Sequence, residues 1–448
     1  MTPFPISEES PVEHGGDLPA QADCVVIGGG VVGVMTAYFL AKAGQSVLLV
    51  EKGRIAGEQS SRNWGWIRQQ GRDPAELPIM IEAARHWRKL VQHLDTDIGL
   101  TQGGVLYLAE SQAEMERLER WLPTARAHGL DTVPLDRAGV ASRLPGARGS
   151  WHGGLWTASD MRAEPWLAVP ALARLAATEG AMIRESCAAR ALDIQAGRIA
   201  GVVTEAGRVR CATVVVAGGA WSRLLLRNAR VDIPQLSVRA SVAATEALPE
   251  VTQIAAAGGH MAFRRRADGG YSIAPAEFHE LFIGPDAFRS LRSFLPQLMA
   301  APFNTRYLPA APRGYPDAWG TARRWSADGP SPFEAMRVLN PSPNVGKLSE
   351  AARRFAGMYP RLGPVRLRAA WAGLIDTMPD LVPVVDRAKA VPGLVIATGM
   401  SGHGFGIGPG FGRVVADLAM DNEVGHDLTR FRLSRFSDGS KIDLGVAA

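Results

Sequence analysis

Three glycines and one acid near the start of the chain have the types and the spacing that bind a dinucleotide. Gly28, Gly30 and Gly33 form a G-x-G-x-x-G pattern. In this pattern the first glycine permits a tight turn, the second lets the backbone approach a pyrophosphate, and the third lets a helix pack closely. Glu51 follows about 20 residues later, where a carboxylate accepts hydrogen bonds from a ribose. The alternative is a glycine-rich turn in some other α/β protein.

The segments around these residues predict the elements that such a site needs. The apolar run Cys24–Ile27 predicts a buried parallel strand. Residues 34–43 predict a helix that ends at Gly44. Residues 46–50 predict a second strand, which ends at Glu51. Strand, glycine turn, helix and strand in this order are typical of a nucleotide-binding unit.

Two later stretches place small residues directly after a predicted strand. An apolar run at 214–216 leads into Ala-Gly-Gly-Ala-Trp, which is typical of a strand that returns to the nucleotide sheet and passes close to a cofactor. A strand at 394–398 stops at a glycine-rich loop, and a helix is predicted from about 409 to 420. The start of that helix offers free N–H groups and a positive dipole end.

Composition indicates an ordinary globular protein with a basic surface. The chain has 448 residues, 46% of them hydrophobic and 21% charged, which suffices for two or three domains. The net charge is +5, and most of the cations are arginines spread along the chain. The absence of a basic block argues against nucleic-acid binding, and the arginines favour anionic cofactors and carboxylate ligands.

The cysteines and the termini point to a cytoplasmic protein. Cys24, Cys187 and Cys211 have no metal or redox spacing, and their apolar settings predict reduced, buried thiols. Residues 1–19 are polar and rich in Pro and Gly, which predicts a flexible tail rather than a signal peptide. No apolar stretch reaches the ~18–20 residues needed to span a bilayer, although peripheral membrane contact stays open.

The rest of the chain predicts a mixture of helices, strands and irregular segments. An irregular polar loop is expected at 57–73, a small meander through Ile183, 191–194 and 199–204, and an extended surface segment at 300–346. An antiparallel sheet is predicted over 238–293, with a hairpin at Gly269-Gly270, and a further strand at 365–370. The predicted helices are 76–94, 113–127 (ended early by Pro123), 136–144, 166–179, 288–299 and 348–359.

Three separated segments resemble the superfamily of D-amino-acid oxidase and sarcosine oxidase, which includes glycine oxidase-like enzymes and consists of FAD-dependent amine oxidoreductases. These segments are 27–33 with Glu51, 216–222 and 397–405, and residues 154–160 are also similar. The resemblance covers most of residues 20–420. It implies a discontinuous α/β Rossmann-type FAD-binding domain with an interleaved α+β substrate domain on an antiparallel sheet.

The same resemblance implies domain boundaries and site residues. After the tail, the FAD-binding parts are 20–95, 151–235 and 365–448, and the substrate parts are 96–150 and 236–364. The implied cofactor-binding residues are Gly28, Gly30, Val32, Gly33, Glu51, Lys52, Ser60, Ser61, Ala217, Gly218, Trp221, Gly402, His403, Gly404 and Phe405. The implied substrate-binding residues are Trp64, Trp66, Arg68, Tyr271 and Gly373, with Arg68 and His403 in catalytic roles and no metal.

Each candidate side chain also has a structural interpretation. Arg68 can pair with a carboxylate or lie at the surface, and His403 can bond flavin or substrate or simply shape its loop. The two tryptophans can wall a pocket or fill a core. For Tyr271, and for His260, Arg264 and His279 in the same predicted substrate sheet, the structural interpretation is favoured over a functional one. Some members of the superfamily that this chain resembles bind flavin covalently through a cysteine near the C-terminal motif. Since no cysteine lies beyond Cys211 here, the resemblance implies non-covalent FAD.

The expected reaction oxidises the C–N bond of an amino acid or secondary amine. Hydride passes from a carbon beside nitrogen to flavin N5, the resulting imine hydrolyses, and oxygen or a quinone takes the electrons. Negative charge grows on the N1–C2=O edge of the flavin, where the helix start after residues 402–410 stabilises it. Two alternatives remain: oxidation of a 2-hydroxy acid or polyol, and a flavin-binding subunit of a larger complex that docks through 300–346.

Overall fold

The computed structural model describes residues 6–258, 261–300 and 305–445, so His260 lies outside the described residues. Its strands, in chain order, are β1 (Cys24–Ile27), β2 (Val47–Val50), β3 (Trp66–Ile67), β4 (Val105–Ala109), β5 (Thr132–Asp136), β6 (Gly153–Thr157), β7 (Met161–Arg162), β8 (Met182–Arg184), β9 (Ala189–Gln195), β10 (Arg198–Thr204), β11 (Gly207–Arg210), β12 (Thr213–Val216), β13 (Leu236–Thr245), β14 (Ala255–Gly258), β15 (Met261–Arg265), β16 (Tyr271–Ala274), β17 (His279–Phe282), β18 (Thr305–Leu308), β19 (Leu367–Thr377), β20 (Val384–Arg387) and β21 (Leu394–Thr398).

The α-helices of the described residues alternate with these strands. They are α1 (Val31–Lys42), α2 (Gln59–Arg62), α3 (Leu77–Leu90), α4 (Gln112–Glu119), α5 (Leu122–Ala127), α6 (Arg137–Arg143), α7 (Pro165–Thr178), α8 (Ser222–Asn228), α9 (Pro285–Ala300), α10 (Pro332–Ala335), α11 (Val345–Met358) and α12 (Gly404–Ala419). No helix within these described ranges is long and apolar enough to cross a membrane.

A six-stranded sheet carries the glycine turn. Its order is β20-β21-β12-β1-β2-β8, with all neighbours parallel except the β20–β21 edge pair. β1 is fully buried and lies between β2 and β12. The predicted strands at the glycine turn, at 214–216 and at 394–398 are therefore confirmed. Ile183 lies in β8 of this sheet rather than in a small meander, because β8 pairs with β2.

A second, mixed sheet of ten strands forms the other large layer. Its order is β18-β17-β13-β16-β15-β14-β4-β6-β5, and β19 also pairs with β13. β15 and β16 are antiparallel, as the predicted hairpin requires. β6 and β19 belong to this sheet although the predicted boundaries at 151 and 365 assigned both to the FAD-binding part. At these two strands the predicted domain boundaries therefore do not coincide with the division of the strands between the two sheets.

One clear departure from the predicted elements is the start of α12. The glycine-rich stretch was expected as a loop until about 409, but α12 begins at Gly404 and contains Pro409. Glycine and proline are poor helix formers, so local preference favours a loop here. Tertiary packing reverses that preference: a Cβ on Gly412 would lie 2.3 Å from Met35 Cβ on α1, and one on Gly410 would lie 2.5 Å from the Ile79 carbonyl on α3.

Other differences are local. The loop at 57–73 contains the short helix α2 and strand β3, and β3 pairs with β7. The helix expected at 113–127 is two helices, α4 and α5, with Pro123 in the first turn of the second, so the predicted break is confirmed. The predicted strand at 365–370 extends to Thr377.

The predicted flexible tail packs against the body from Ile6 onward. Ile6 and Ser10 are buried, and the Ile6 carbonyl accepts a hydrogen bond from Arg62 Nη2 at 3.0 Å. Arg54 Nε donates to the Ser10 carbonyl at 2.6 Å. A polar, proline-rich composition indicated looseness, but these two arginines hold the segment by its backbone carbonyls. Residues 1–5 lie outside the described part of the chain.

Candidate active site

The candidate site is a cavity at the carboxyl ends of the parallel strands. The glycine turn after β1, the end of β2, the small residues after β12 and the loop after β21 all line it. Carboxyl ends of parallel strands meet at one edge of a sheet, where such folds bind nucleotides. The first residues of α1 and α12 also line the cavity. Two helix N-termini, each with free N–H groups, therefore face one space.

Most of the predicted site residues share this cavity. Those that line it are Gly28, Gly30, Val32, Glu51, Lys52, Ser60, Trp64, Trp66, Arg68, Ala217, Gly218, Trp221, Gly373, Gly402, His403, Gly404 and Phe405. Residues from both ends of the chain thus meet in one place. Three predicted site residues, Gly33, Ser61 and Tyr271, do not line it.

The glycine turn has no room for side chains. Gly28 has φ +116°, and a Cβ there would lie 2.4 Å from the Ala217 carbonyl oxygen. A Cβ on Gly33 would lie 2.0 Å from the Gly28 carbonyl oxygen, so Gly33 allows α1 to pack under the turn rather than touching a ligand. Ser60 Oγ accepts a hydrogen bond from the Val31 N–H at 2.9 Å and so lies at the start of α1.

Glu51 is fixed by two backbone donors. Its Oε2 accepts from the Gly29 N–H at 2.7 Å, and its Oε1 accepts from the Gly53 N–H at 2.8 Å. Burial raises the pKa of Glu51 above its usual range, and the nearby Lys52 and these two hydrogen bonds offset only part of the rise. A carboxylate has about four lone-pair positions, so two remain for hydroxyls in the cavity.

Lys52 and Trp221 both contact Glu58, a residue that was not predicted from the sequence to belong to the site. Lys52 Nζ lies 2.6 Å from Glu58 Oε1, and Trp221 Nε1 lies 3.0 Å from both carboxylate oxygens. The ammonium also lies 4.4 Å from the centroid of the Trp221 ring. In this part of the wall the charge of Lys52 is therefore balanced by that of Glu58.

Ser61 and Tyr271 are corrections to the predicted site. Ser61 is fully buried next to Ser60 in α2, where successive side chains point about 100° apart. Tyr271 is fully buried too: its hydroxyl accepts from the Val251 N–H at 2.9 Å and donates to the Thr252 carbonyl at 3.1 Å. Tyr271 packs on Phe355 of α11, on the face of the large sheet that belongs to the core.

Aromatic side chains form the wall at the other end of the cavity. The rings of Trp64 and Trp66 pack edge to face at 5.2 Å, and Trp66 meets Tyr107 at 6.2 Å. The Arg68 guanidinium lies 5.4 Å from the Tyr107 ring, and its Nη1 donates to the Gln70 carbonyl. Aromatic faces next to a cation suit a small ligand with an apolar part and an anionic group.

Of the residues that the sequence analysis interpreted as structural, Arg264 lies in the core and His279 lines the cavity. Arg264 is buried and forms a bidentate ion pair with Glu164, with N···O distances of 2.7 and 2.9 Å, in agreement with a structural role. His279, in contrast, lines the cavity beside Ala276. Burial lowers its pKa, which favours a neutral imidazole. Only the pairing of β17 with the large sheet reveals this position, so the sequence carried no signal for it.

A buried polar cluster lies under the start of α12. His403 immediately precedes α12, and its Nδ1 lies 3.3 Å from Oε2 of the buried Glu76. Arg72, also buried, donates from Nε to the Arg68 carbonyl at 3.0 Å and from Nη2 to the His403 carbonyl at 3.4 Å. Its Nη1 and Oε1 of Glu76 are buried with no hydrogen-bond partner. Neither Arg72 nor Glu76 was predicted from the sequence as a site residue.

The electrostatics of this cluster favour a neutral imidazole. Burial and the positive charge of Arg72 lower the pKa of His403 to about 4. Burial alone would raise the pKa of Glu76, but the hydrogen bond from His403 and the positive charges of Arg72 and Arg68 lower it below its usual range. Since a carboxylate only accepts, the neutral imidazole carries its proton on Nδ1 and leaves Nε2 as an acceptor.

The residues present fit an FAD molecule. The elongated cavity offers an α1 N-terminus with a glycine turn at one end and an α12 N-terminus with an aromatic wall at the other. The first suits a pyrophosphate, and the second suits a ring system that gains negative charge. Among the described residues no cluster of His, Cys, Asp and Glu could hold a metal ion.

Comparison with known proteins agrees with this geometry. A family model described as FAD dependent oxidoreductase (DAO) matches residues 23–418. The solved structure of L-amino acid deaminase from Proteus myxofaciens, in complex with anthranilate, is 30% identical with a TM-score of 0.90, and the match covers 96% of this chain and 97% of that chain.

Two curated relatives differ in the fraction of their own length that the match with this chain covers. Sarcosine oxidase subunit beta of Rhizobium meliloti (strain 1021) is 26% identical over 94% of this chain and 90% of that protein. Human mitochondrial sarcosine dehydrogenase is 28% identical over 59% of this chain, but the match spans only 30% of that longer protein.

Proposed function

The chain belongs to the family of FAD-dependent oxidoreductases, and from this membership we propose that it oxidises the C–N bond of an amino acid or secondary amine. The observation that carries the proposal is the single cavity, whose wall runs from the glycine turn at Gly28 to the helix start at His403. A dinucleotide site and a small aromatic pocket are thereby continuous.

We propose that the cofactor is held without a covalent bond. Gly28, Gly30, Glu51, Ser60 and Trp221 would hold the ADP half, and residues 402–405 would lie beside the flavin. Bound FAD would supply the hydride acceptor for the reaction. Cys24, Cys187 and Cys211 are all buried, and none of them lines the cavity.

The side chains of the aromatic end would bind and orient the substrate. Arg68 would pair with a carboxylate, and Gly373 leaves room where β19 meets the cavity. Trp64 and Trp66 would exclude water, which favours the uncharged amine. Nε2 of the neutral His403 would accept a hydrogen bond from an N–H group of the substrate.

The names of the relatives support an amine donor. Sarcosine is a secondary amine that carries a carboxylate, and it is named in the oxidase and dehydrogenase relatives. The solved structure with the same fold over 96% of this chain is named as an L-amino acid deaminase. A 2-hydroxy acid has the same carboxylate but no amine, so it is the alternative that a substrate screen must separate.

A second candidate is a flavin-binding subunit within a complex. It is favoured by one observation: the relative that matches 94% of this chain is named as a subunit. Turnover by the purified chain alone would remove this candidate. The electron acceptor, oxygen or a quinone, would be identified by the rate at which reduced protein is reoxidised in air.

We also propose two interleaved domains. One would contain the six-stranded sheet and the cofactor, and the other the ten-stranded sheet and the substrate pocket. The strands of the six-stranded sheet come from 24–50, 182–216 and 384–398, which supports a discontinuous cofactor domain. Strands β6 and β19 would then belong to the substrate domain.

The decisive experiment is an anaerobic substrate screen on the purified holoprotein. Sarcosine, proline, L- and D-amino acids and lactate are mixed with the protein, and flavin bleaching is recorded. Bleaching by amines and not by lactate supports the proposal, and bleaching by lactate alone overturns it. Acid precipitation completes the test, because a covalent flavin would stay with the precipitate whereas a non-covalent one is released.

A further inference from the structure

Helix α9 turns an apolar stripe towards solvent. Its exposed hydrophobic side chains are Phe288 (62% exposed), Leu291 (52%), Leu295 (50%) and Met299 (74%). Their spacing of three and four residues places them on one face of the helix. A helix on a globular protein normally buries such a stripe, so this orientation needs an explanation.

The opposite face of α9 holds it in this orientation through polar contacts. Asp286 and Ser290 are buried. Asp286 Oδ1 accepts from Arg227 Nη1 at 2.5 Å, and Ser290 Oγ accepts from Arg223 Nη1 at 2.7 Å. Rotating the apolar stripe inward would leave the buried Arg223 and the partly buried Arg227 without these partners. The outward apolar stripe is therefore built into the fold.

The neighbouring segment enlarges the apolar surface. Trp319 (57% exposed) packs its ring 6.1 Å from Phe288, and Tyr307 is exposed nearby in sequence. Nine large hydrophobic side chains are exposed among the described residues, and six of them lie within 288–319. Such clustering marks an interaction site rather than ordinary surface variation.

Positive charge is concentrated in the same stretch. Residues 285–324 contain six arginines and two aspartates, a net +4 out of the +5 of the whole chain. Arg289, Arg292, Arg306, Arg313 and Arg324 are exposed, whereas Asp286 is buried in ion pairs. The outward charge is thus almost purely positive. Arg289, Arg323 and Arg324 also line a shallow cavity beside α9.

We propose that residues 285–300 and 305–324, here named the α9 surface, dock on a membrane that contains anionic lipids. Apolar and aromatic side chains would enter the headgroup region, and the arginines would meet lipid phosphates. A second copy of this chain is a poorer occupant, because a two-fold interface would place arginines against arginines. The contact is peripheral and independent of the proposed substrate.

Vesicle sedimentation tests this proposal with the full-length holoprotein. Wild-type protein is expected to pellet with vesicles of phosphatidylcholine and phosphatidylglycerol, to bind pure phosphatidylcholine at least about tenfold more weakly, and to be released by salt. Failure to bind the anionic vesicles overturns the proposal, as does equal binding to both vesicle types. Dimerisation without vesicle binding would assign the surface to a second copy instead.

Paired variants locate the contact. Leu291→Glu with Leu295→Glu, and separately Arg292→Glu with Arg313→Glu, are each expected to weaken vesicle binding at least about tenfold. Matched controls are Val345→Glu, on an equally exposed apolar residue of α11, and Arg120→Glu with Arg353→Glu, on exposed arginines elsewhere. Flavin content reports folding in every variant. Unchanged binding by the two α9 variants would remove the α9 surface from the contact.

Discussion

Nδ1 of His403 lies 3.3 Å from Oε2 of Glu76 although the two residues are 327 positions apart in the chain. The pair joins the start of α12 to the start of α3 beneath the aromatic end of the cavity. Glu76 only accepts hydrogen bonds, so it determines which imidazole nitrogen carries the proton. The pair is therefore the first target for mutation.

Replacing Glu76 by Gln should lower the pKa of His403 further, because the carboxylate is one of the groups that raise it. The side-chain shape is kept while its negative charge is lost. The measurement is a titration of the histidine ring signals in histidine-labelled protein, with His403→Asn to assign the signal. Glu119→Gln, at the exposed end of α4, is the control. An unchanged His403 titration would show that Glu76 does not act on the imidazole.

His403 should also make stability depend on pH. Its pKa is lowered from 6.5 to about 4 in the folded chain, so the unfolded chain binds more protons between these pH values. The free energy of unfolding should therefore fall as pH decreases from about 6.5 to 4, by up to about 3 kcal/mol from this residue. Urea unfolding at several pH values measures it, and His403→Asn should lose this part of the dependence.

The sequence could predict the parts of this site that depend on residues close together in the chain, but not the contacts between residues far apart in it. The β1–α1–β2 unit followed from a local pattern of glycines and apolar runs. Glu76 and Arg72 could not be predicted, since their partners at 403 come together only through tertiary packing. The start of α12 was missed for a related reason: contacts with α1 and α3 override the poor helix preference of its glycines.

Substituting Arg68 by Ala should raise KM for carboxylate-bearing substrates by about 10- to 100-fold, the range expected from losing a charged hydrogen bond. A substrate amine without a carboxylate should show little change. Arg85→Ala, an exposed arginine on α3, provides the control for loss of charge alone. Steady-state kinetics with both substrate types would separate the two effects, and an equal KM change for both would exclude a carboxylate contact.

The glycine turn should tolerate no side chain at its first position. In Gly28→Ala the methyl group meets the Ala217 carbonyl, so we expect loss of bound flavin and destabilisation of at least about 2 kcal/mol. Gly44→Ala is the matched control: Gly44 also has positive φ, but nothing lies within 4 Å of its Cβ position. This control should cost only about 1–2 kcal/mol and keep its flavin. Flavin absorbance and thermal unfolding distinguish the two variants.

Tyr271→Phe should change stability and leave catalysis intact. The hydroxyl bonds to the backbone at Val251 and Thr252 in a fully buried setting, and its removal leaves those groups without a partner. The expected cost is about 1–3 kcal/mol. β16 alternates sides: Tyr271 faces α11, while Ala274 faces Trp64 and Trp371. The sequence predicted the strand but not which face met the cavity. A raised KM with unchanged stability would return Tyr271 to the substrate site, so both quantities must be measured on the same preparation.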